Sequence, residues 1–203
     1  MARFKLTKGE LKRQRDALKQ YLRYLPTLQL KKQQLQMEII SLVSTLEEKA
    51  QKETSKRNEI TAWAGLLSDE KVNLKPWIKP KRIITSLKNI AGVDLPVFES
   101  AEFASAEYDL FIVPLWVDVA IEELRKLISL RQELKVIEQG IGILRQELRI
   151  TTQRVNLFEK VKIPEALDAI RMIKIYLGDQ MTNAVGRSKI AKRKIEELAS
   201  LAA

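Results

Sequence analysis

From Leu127 to Phe158 the seam positions are Leu127, Leu130, Leu134, Ile137, Ile141, Leu144, Leu148, Thr151, Val155 and Phe158. The steps between them alternate three and four without a break. In an α-helix this spacing draws a narrow stripe along one side, the heptad seam of a coiled coil. Such a stripe leaves the helix incomplete without a long partner. The first 70 residues offer one: Leu11, Leu18, Tyr21, Leu25, Leu28, Leu35, Ile39, Leu42 and Leu46 keep the same rhythm, interrupted by Gln14 and Lys32. The pattern predicts an all-α protein, a long antiparallel two-helix coiled coil with a small β-hairpin-containing insert at the bend. Residues 1–70 form one helix, 71–117 the insert and 118–203 the second helix. At about 1.5 Å per residue, about 80 residues of helix span roughly 120 Å, the length of a shaft.

Local signals set the details. Thr7 and Glu10 have the spacing of a capping box, which starts the first helix. Pro26 lies inside the pattern and lacks a backbone donor, so a kink or a restart of the helix is expected there. Residues Glu47–Glu59 are nearly all polar, which predicts a stretch drifting from the core or partly solvated. The stretch Val72–Val117 holds Pro76, Pro80, Pro96, Pro114 and Gly92. Within it, Val93–Val97 alternates and Tyr108–Val113 is a short apolar run. These are expected to be two short strands, the first an edge strand because of Pro96. Across Pro164 an apolar face continues through Ile163, Leu167, Ile170, Ile173 and Leu177, shifted by one residue from the earlier register. Met181, Ala184, Ser188, Ala191, Ile195 and Leu198 then return to the three-four rhythm, with small residues that would let two helices approach closely.

Composition removes most catalytic chemistry. The chain has no cysteine and no histidine, so thiol nucleophiles, disulfides and the usual imidazole base are absent. No phosphate loop of the G-x-x-x-x-G-K-[ST] kind begins at any glycine, and Gly140 and Gly142 form a lone G-x-G inside a helical pattern. Glu122–Glu123 and Glu196–Glu197 are adjacent on helices and do not face each other. No stretch reaches the length of a membrane span, and Met1–Arg15 lacks the apolar core of a signal peptide. The reading is a soluble cytoplasmic protein with no catalytic residues, no cofactor, no metal and no membrane insertion.

The net charge of +10 is unevenly spread. Residues 1–37 contain ten Lys or Arg and two acids, whereas residues 89–124 contain eight acids and no base. The last turns are basic again. A hairpin built from this chain is positive where its termini meet and negative at its bend, which suits different partners at its two ends. Charge of this kind also fits a basic coiled-coil nucleic-acid-binding protein, and a coiled-coil adaptor of another descent is a further alternative. Residues 185–203 have no aromatic side chain for base stacking.

One segment narrows these alternatives. Thr151, Thr152, Arg154, Val155, Asn156 and Glu159 lead into Ile163-Pro164 and then Ile170-Arg171-Met172-Ile173. The order and spacing resemble the signature of the D subunit of V-type and archaeal-type rotary ATPases, T-T-x-R-V-N-x-L/F-E followed by I-P and I-R-x-I. Leu30–Leu35 resembles that family's opening helix, so the likeness covers both long helices, roughly 7–60 and 120–198. The insert departs most from it. The resemblance implies a non-catalytic central rotor shaft within a ring of three A and three B subunits. It also implies that the small F subunit of the stalk sits on the side of the shaft, and that a membrane-side cup subunit of C or d type lies below. It implies no direct nucleic-acid partner, and a location peripheral to the membrane.

Overall fold

The computed structural model describes residues 5–65, 74–107 and 114–201, and side chains as far as Leu198. The elements are α1 (Lys8–Trp63), α2 (Lys75–Ile78), β1 (Pro80–Ile90), β2 (Val93–Phe103), α3 (Trp116–Leu157), a π-helical turn (Phe158–Lys162) and α4 (Ile163–Leu201). They fall into two compact units. One joins Lys31–Thr151 and holds the insert; the other joins Met1–Leu30 to Thr152–Ala203.

In the unit with the insert, α1 and α3 run antiparallel, as the ion pairs Lys31–Glu147, Lys49–Glu133 and Lys56–Glu123 record. Leu35 and Leu144 are fully buried and meet Leu95 of β2, with Ile39, Leu42, Ile90, Ala91, Val93 and Leu148 around them. A second cluster closes the bend: Leu74, Val117, Ala120 and Ile121, ringed by Trp63, Trp77 and Trp116 among others. These are all three tryptophans of the chain. The polar stretch Glu47–Glu59 stays helical and is tied to α3 by ions where apolar seam residues are missing. Lys49 pairs with Glu133 at 3.0 Å, Glu53 with Arg131 at 3.8 Å, and Lys56 with Glu123.

The insert contains the expected hairpin, but its strands differ from the expectation. Val93–Val97 lies within β2, and the partner is Pro80–Ile90, a stretch that the sequence pattern does not mark as a strand. The other expected strand, Tyr108–Val113, lies outside the described residues. Strand β1 escapes notice because Lys81, Arg82, Ile83 and Ile84 break any period of two. Two of its apolar residues, Ile83 and Leu87, are also exposed. The turn is Ala91-Gly92, both in the left-handed region (φ 52° and 75°), as a two-residue type I′ turn requires. Asn89 supports the turn by accepting the Gly92 N–H at 3.1 Å and donating to Asp94 at 2.6 Å. The hairpin folds back along the helices of its unit, its turn lying by Leu35 and Leu144. It does not project from the bend as a free acidic arm.

In the other unit, the Thr7 hydroxyl accepts the Glu10 N–H at 3.2 Å and caps α1. The Glu10 carboxylate takes Gln14 and Arg13 as partners. Helix α1 runs unbroken through Pro26, so of the kink or restart expected there the restart does not occur. Leu25 and Leu28, on either side of the proline, are both half-buried. The one-residue register shift near Pro164 comes from a π-helical turn beside the proline. The π turn places one extra residue in the helix just before the proline, and the Ile163 N–H donates to the Phe158 carbonyl five residues back. This wider turn also relieves the crowding that a proline ring imposes on the preceding carbonyls. The rotation carries through: Ala166, Ala169, Ile170 and Ile173 are buried, whereas Leu167, expected on that face, is half exposed.

The close approach expected around Met181–Leu198 is not made among the described residues. Every described residue from Gly178 to Leu198 is exposed. Tyr21 stacks on Phe158 with centroids 5.3 Å apart, and α1 begins at Lys8 while α4 continues to Leu201. Helix α4 therefore outruns its partner within this unit.

Candidate functional site

The residues that the sequence singles out separate by exposure into two groups. Along the seam, Ile141, Leu144, Thr151 and Val155 are buried, while Leu134, Ile137, Leu148 and Phe158 are half-buried. Of the shared motif, Ile170 is also buried, and Thr152 and Ile163 are half-buried. Arg154, Asn156, Glu159, Pro164 and Arg171 are exposed. Arg154 and Arg171 make no ion pair among the described residues. The motif is thus half core and half surface, a division that motif spacing alone does not reveal.

The apolar half works by exclusion of water. A leucine of the Leu35–Leu144–Leu95 cluster stabilises the folded pair by about 1.5–3 kcal/mol relative to its exposed state. Next to this cluster lies a cavity of about 240 Å³ between the hairpin and the helices, lined by Leu42, Thr45, Ile90, Phe98, Ile137 and Gly140 among others. Gly140 and Gly142 are both inside α3, with their backbone groups committed to the helix, so they form no phosphate cradle. A Cβ at either position would meet nothing within 4 Å. Gly140→Ala is therefore expected to stabilise the protein by about 1 kcal/mol through helix propensity. A urea melt showing destabilisation would mean that the glycine is needed for packing.

The polar half of the seam depends on charge. The Lys56 ammonium, bonded to Glu123, and Lys126 on its other side hold the Glu123 carboxyl below its ordinary 4.5. Glu123 and then Glu59 hold Lys56 above its ordinary 10.5. The carboxylate contribution is complete above the unfolded value of 4.5 and is lost as pH falls through the lower folded value. The ammonium contribution is complete below 10.5 and is lost as pH rises through the higher folded value. Stability is thus expected to be level between these limits and to fall at both ends. Thermal melts of the Glu123→Gln variant should lose part of the acid-side fall. Identical acid limbs for variant and parent would remove Glu123 from the account.

Among the described residues no group of three or more acidic side chains is placed to hold a metal ion, and no helix is long and apolar enough to cross a membrane. The described residues thus form a helix pair with a mixed apolar and ionic seam, and an α4 whose residues from Gly178 to Leu198 are exposed. The family model for the ATP synthase D subunit matches residues 10–193. The chain belongs to the ATP synthase D-subunit family. The D subunit of the V-type ATP synthase from Borreliella burgdorferi is 48% identical over 195 residues, covering 96% of each chain. Its counterpart from Chlamydia caviae is 33% identical over 201 residues, covering 97% of this chain and 95% of its own. That from Chlamydia abortus is 35% identical over 198 residues, covering 95% and 94%. The D subunit of the V-type ATP synthase is a stalk component and not a catalytic one. Neither a nucleic-acid-binding coiled coil nor an unrelated adaptor fits this membership.

Proposed function

We propose that the chain transmits torque between the catalytic ring of A and B subunits and the ion-translocating ring in the membrane. The carrying observation is the seam that joins α1 and α3 from Lys31–Glu147 to Lys56–Glu123. A helix pair that transmits torque must resist sliding, and interlocked leucines alternating with ion pairs oppose it. In this reading the small F subunit of the stalk and a membrane-side cup subunit are the remaining partners. The protein works on the cytoplasmic side, peripheral to the membrane. The exposed half of the motif, with Arg154 and Arg171, serves contacts to these neighbours.

The α4 end is assigned to the A and B ring. Met181, Ile195 and Leu198 are each more than half exposed there, and Ala184, Ser188 and Ala191 keep the helix slim. Because the chain has no cysteine, a single one at Ala184 gives a clean cross-linking site in the assembled complex. The expected product joins position 184 to an A or B subunit. Linkage only to a membrane-side subunit would reverse the assignment.

A further inference from the structure

We propose that the open edge of β1 is a docking strand for an extended acidic segment of another protein chain of the complex. The hairpin is divided by charge along its length. Strand β2 carries Asp94, Glu99 and Glu102, whereas Lys79, Lys81, Arg82 and Lys88 lie on or beside β1, and no acid occurs between residues 74 and 93. Arg82 stands opposite Glu102 in the register. Even so, none of the four cations forms an ion pair among the described residues. Among the described residues strand β1 has β2 as its one strand neighbour, and its remaining ladder groups make no backbone hydrogen bond elsewhere. Two apolar side chains lie among the cations, Ile83 at 39% exposure and Leu87 at 75%. Near the turn the hairpin packs on the helix core through Leu95 of β2 and Ile90 of β1, which leaves Ile83 and Leu87 outside it.

Open ladder groups, unpaired cations and exposed apolar side chains on one strand match the needs of an added strand. Backbone bonds supply affinity, and side-chain complementarity supplies choice of partner. A phosphate-bearing surface would satisfy the cations but leave the ladder and Leu87 unused. Lysines on an edge also deter strand-to-strand aggregation, yet a strand that only needs guarding has no use for an exposed leucine beside them. The inference rests on membership of the complex and not on the torque reading, so failure of one leaves the other standing.

The test uses the assembled complex carrying Leu87→Cys labelled with a benzophenone maleimide. The expected photoproduct joins position 87 to an acidic segment of another chain of the complex, mapped by mass spectrometry. Its yield should fall about tenfold or more when Lys81, Arg82 and Lys88 are changed to Glu, because like charges then face each other. The same three positions changed to Gln guard against a folding defect. That variant should give an intermediate yield at an unchanged melting temperature. Adducts to lipid, to nucleic acid or to a segment without acidic excess would overturn the proposal. So would the absence of any adduct between chains, or a yield that charge reversal leaves unchanged.

Discussion

Leu144→Ala combined with Leu148→Ala is expected to lower ion pumping per ATP while hydrolysis by the assembled complex continues. Leu144 is fully buried against Leu35 and Leu95, and Leu148 packs on the edge of the same cluster. Truncating a buried leucine costs about 2–5 kcal/mol, the spread depending on how far the cavity collapses. Leu148, only half-buried, adds less. The loss falls on the part of α3 that holds both α1 and the hairpin, so the helix pair should slip or separate under load. The ATP-binding chemistry lies in other chains and is untouched. Two measurements decide it: a urea melt of the isolated chain, and paired hydrolysis and ion-uptake assays on the complex. Arg145→Ala, on the exposed face of α3, is the control and should leave both unchanged. A destabilised double variant that still pumped normally per ATP would dissociate seam strength from coupling.

Arg125→Ala should release the base of the hairpin while leaving the long helices folded. The Arg125 side chain donates to the Trp77 carbonyl at 3.0 Å and to the Ala104 carbonyl, so it ties the chain just before β1 and just after β2 to α3. Its guanidinium also lies over the Phe103 ring, 5.4 Å from the centroid. Hydrogen bonds from a charged donor contribute about 1.5–3 kcal/mol each. Lysine cannot replace the fork, because one ammonium cannot take both carbonyls and the ring at once. Hydrogen exchange across 80–103 should therefore quicken in both Arg125→Ala and Arg125→Lys, while helical circular dichroism stays near that of the parent. Tryptophan fluorescence should respond as well, since Trp63, Trp77 and Trp116 surround the bend. Unchanged exchange in the Ala variant would leave the Leu95 contact as the sole anchor of the hairpin.

The long helices were legible because their signal repeats. Leu134 to Phe158 states the same three-four step many times, and one Pro26 cannot outweigh packing distributed over the whole length of α1. Strand β1 was hidden because its pairing is non-local and its residues are mostly exposed, so no alternation was needed to bury a face. The ion ladder was hidden because a polar run such as Glu47–Glu59 reads alike whether its charges meet water or a partner helix.

The sequence by itself determined that the chain is built on long helices with a small strand-bearing stretch between them, and that it has neither histidine nor cysteine, since these depend on local spacing and on residue types. It also located the one-residue shift near Pro164. Only the tertiary structure decided that a π turn produces this shift, and that Ala166 and Ala169 rather than Leu167 turn inward, because a single added residue rotates the face of everything after it. The partner of Val93–Val97, the fold-back of the hairpin onto Leu35 and Leu144, and the joining of Trp77 and Ala104 through Arg125 likewise came from the structure. These are contacts between residues far apart along the chain, and local patterns carry no record of them.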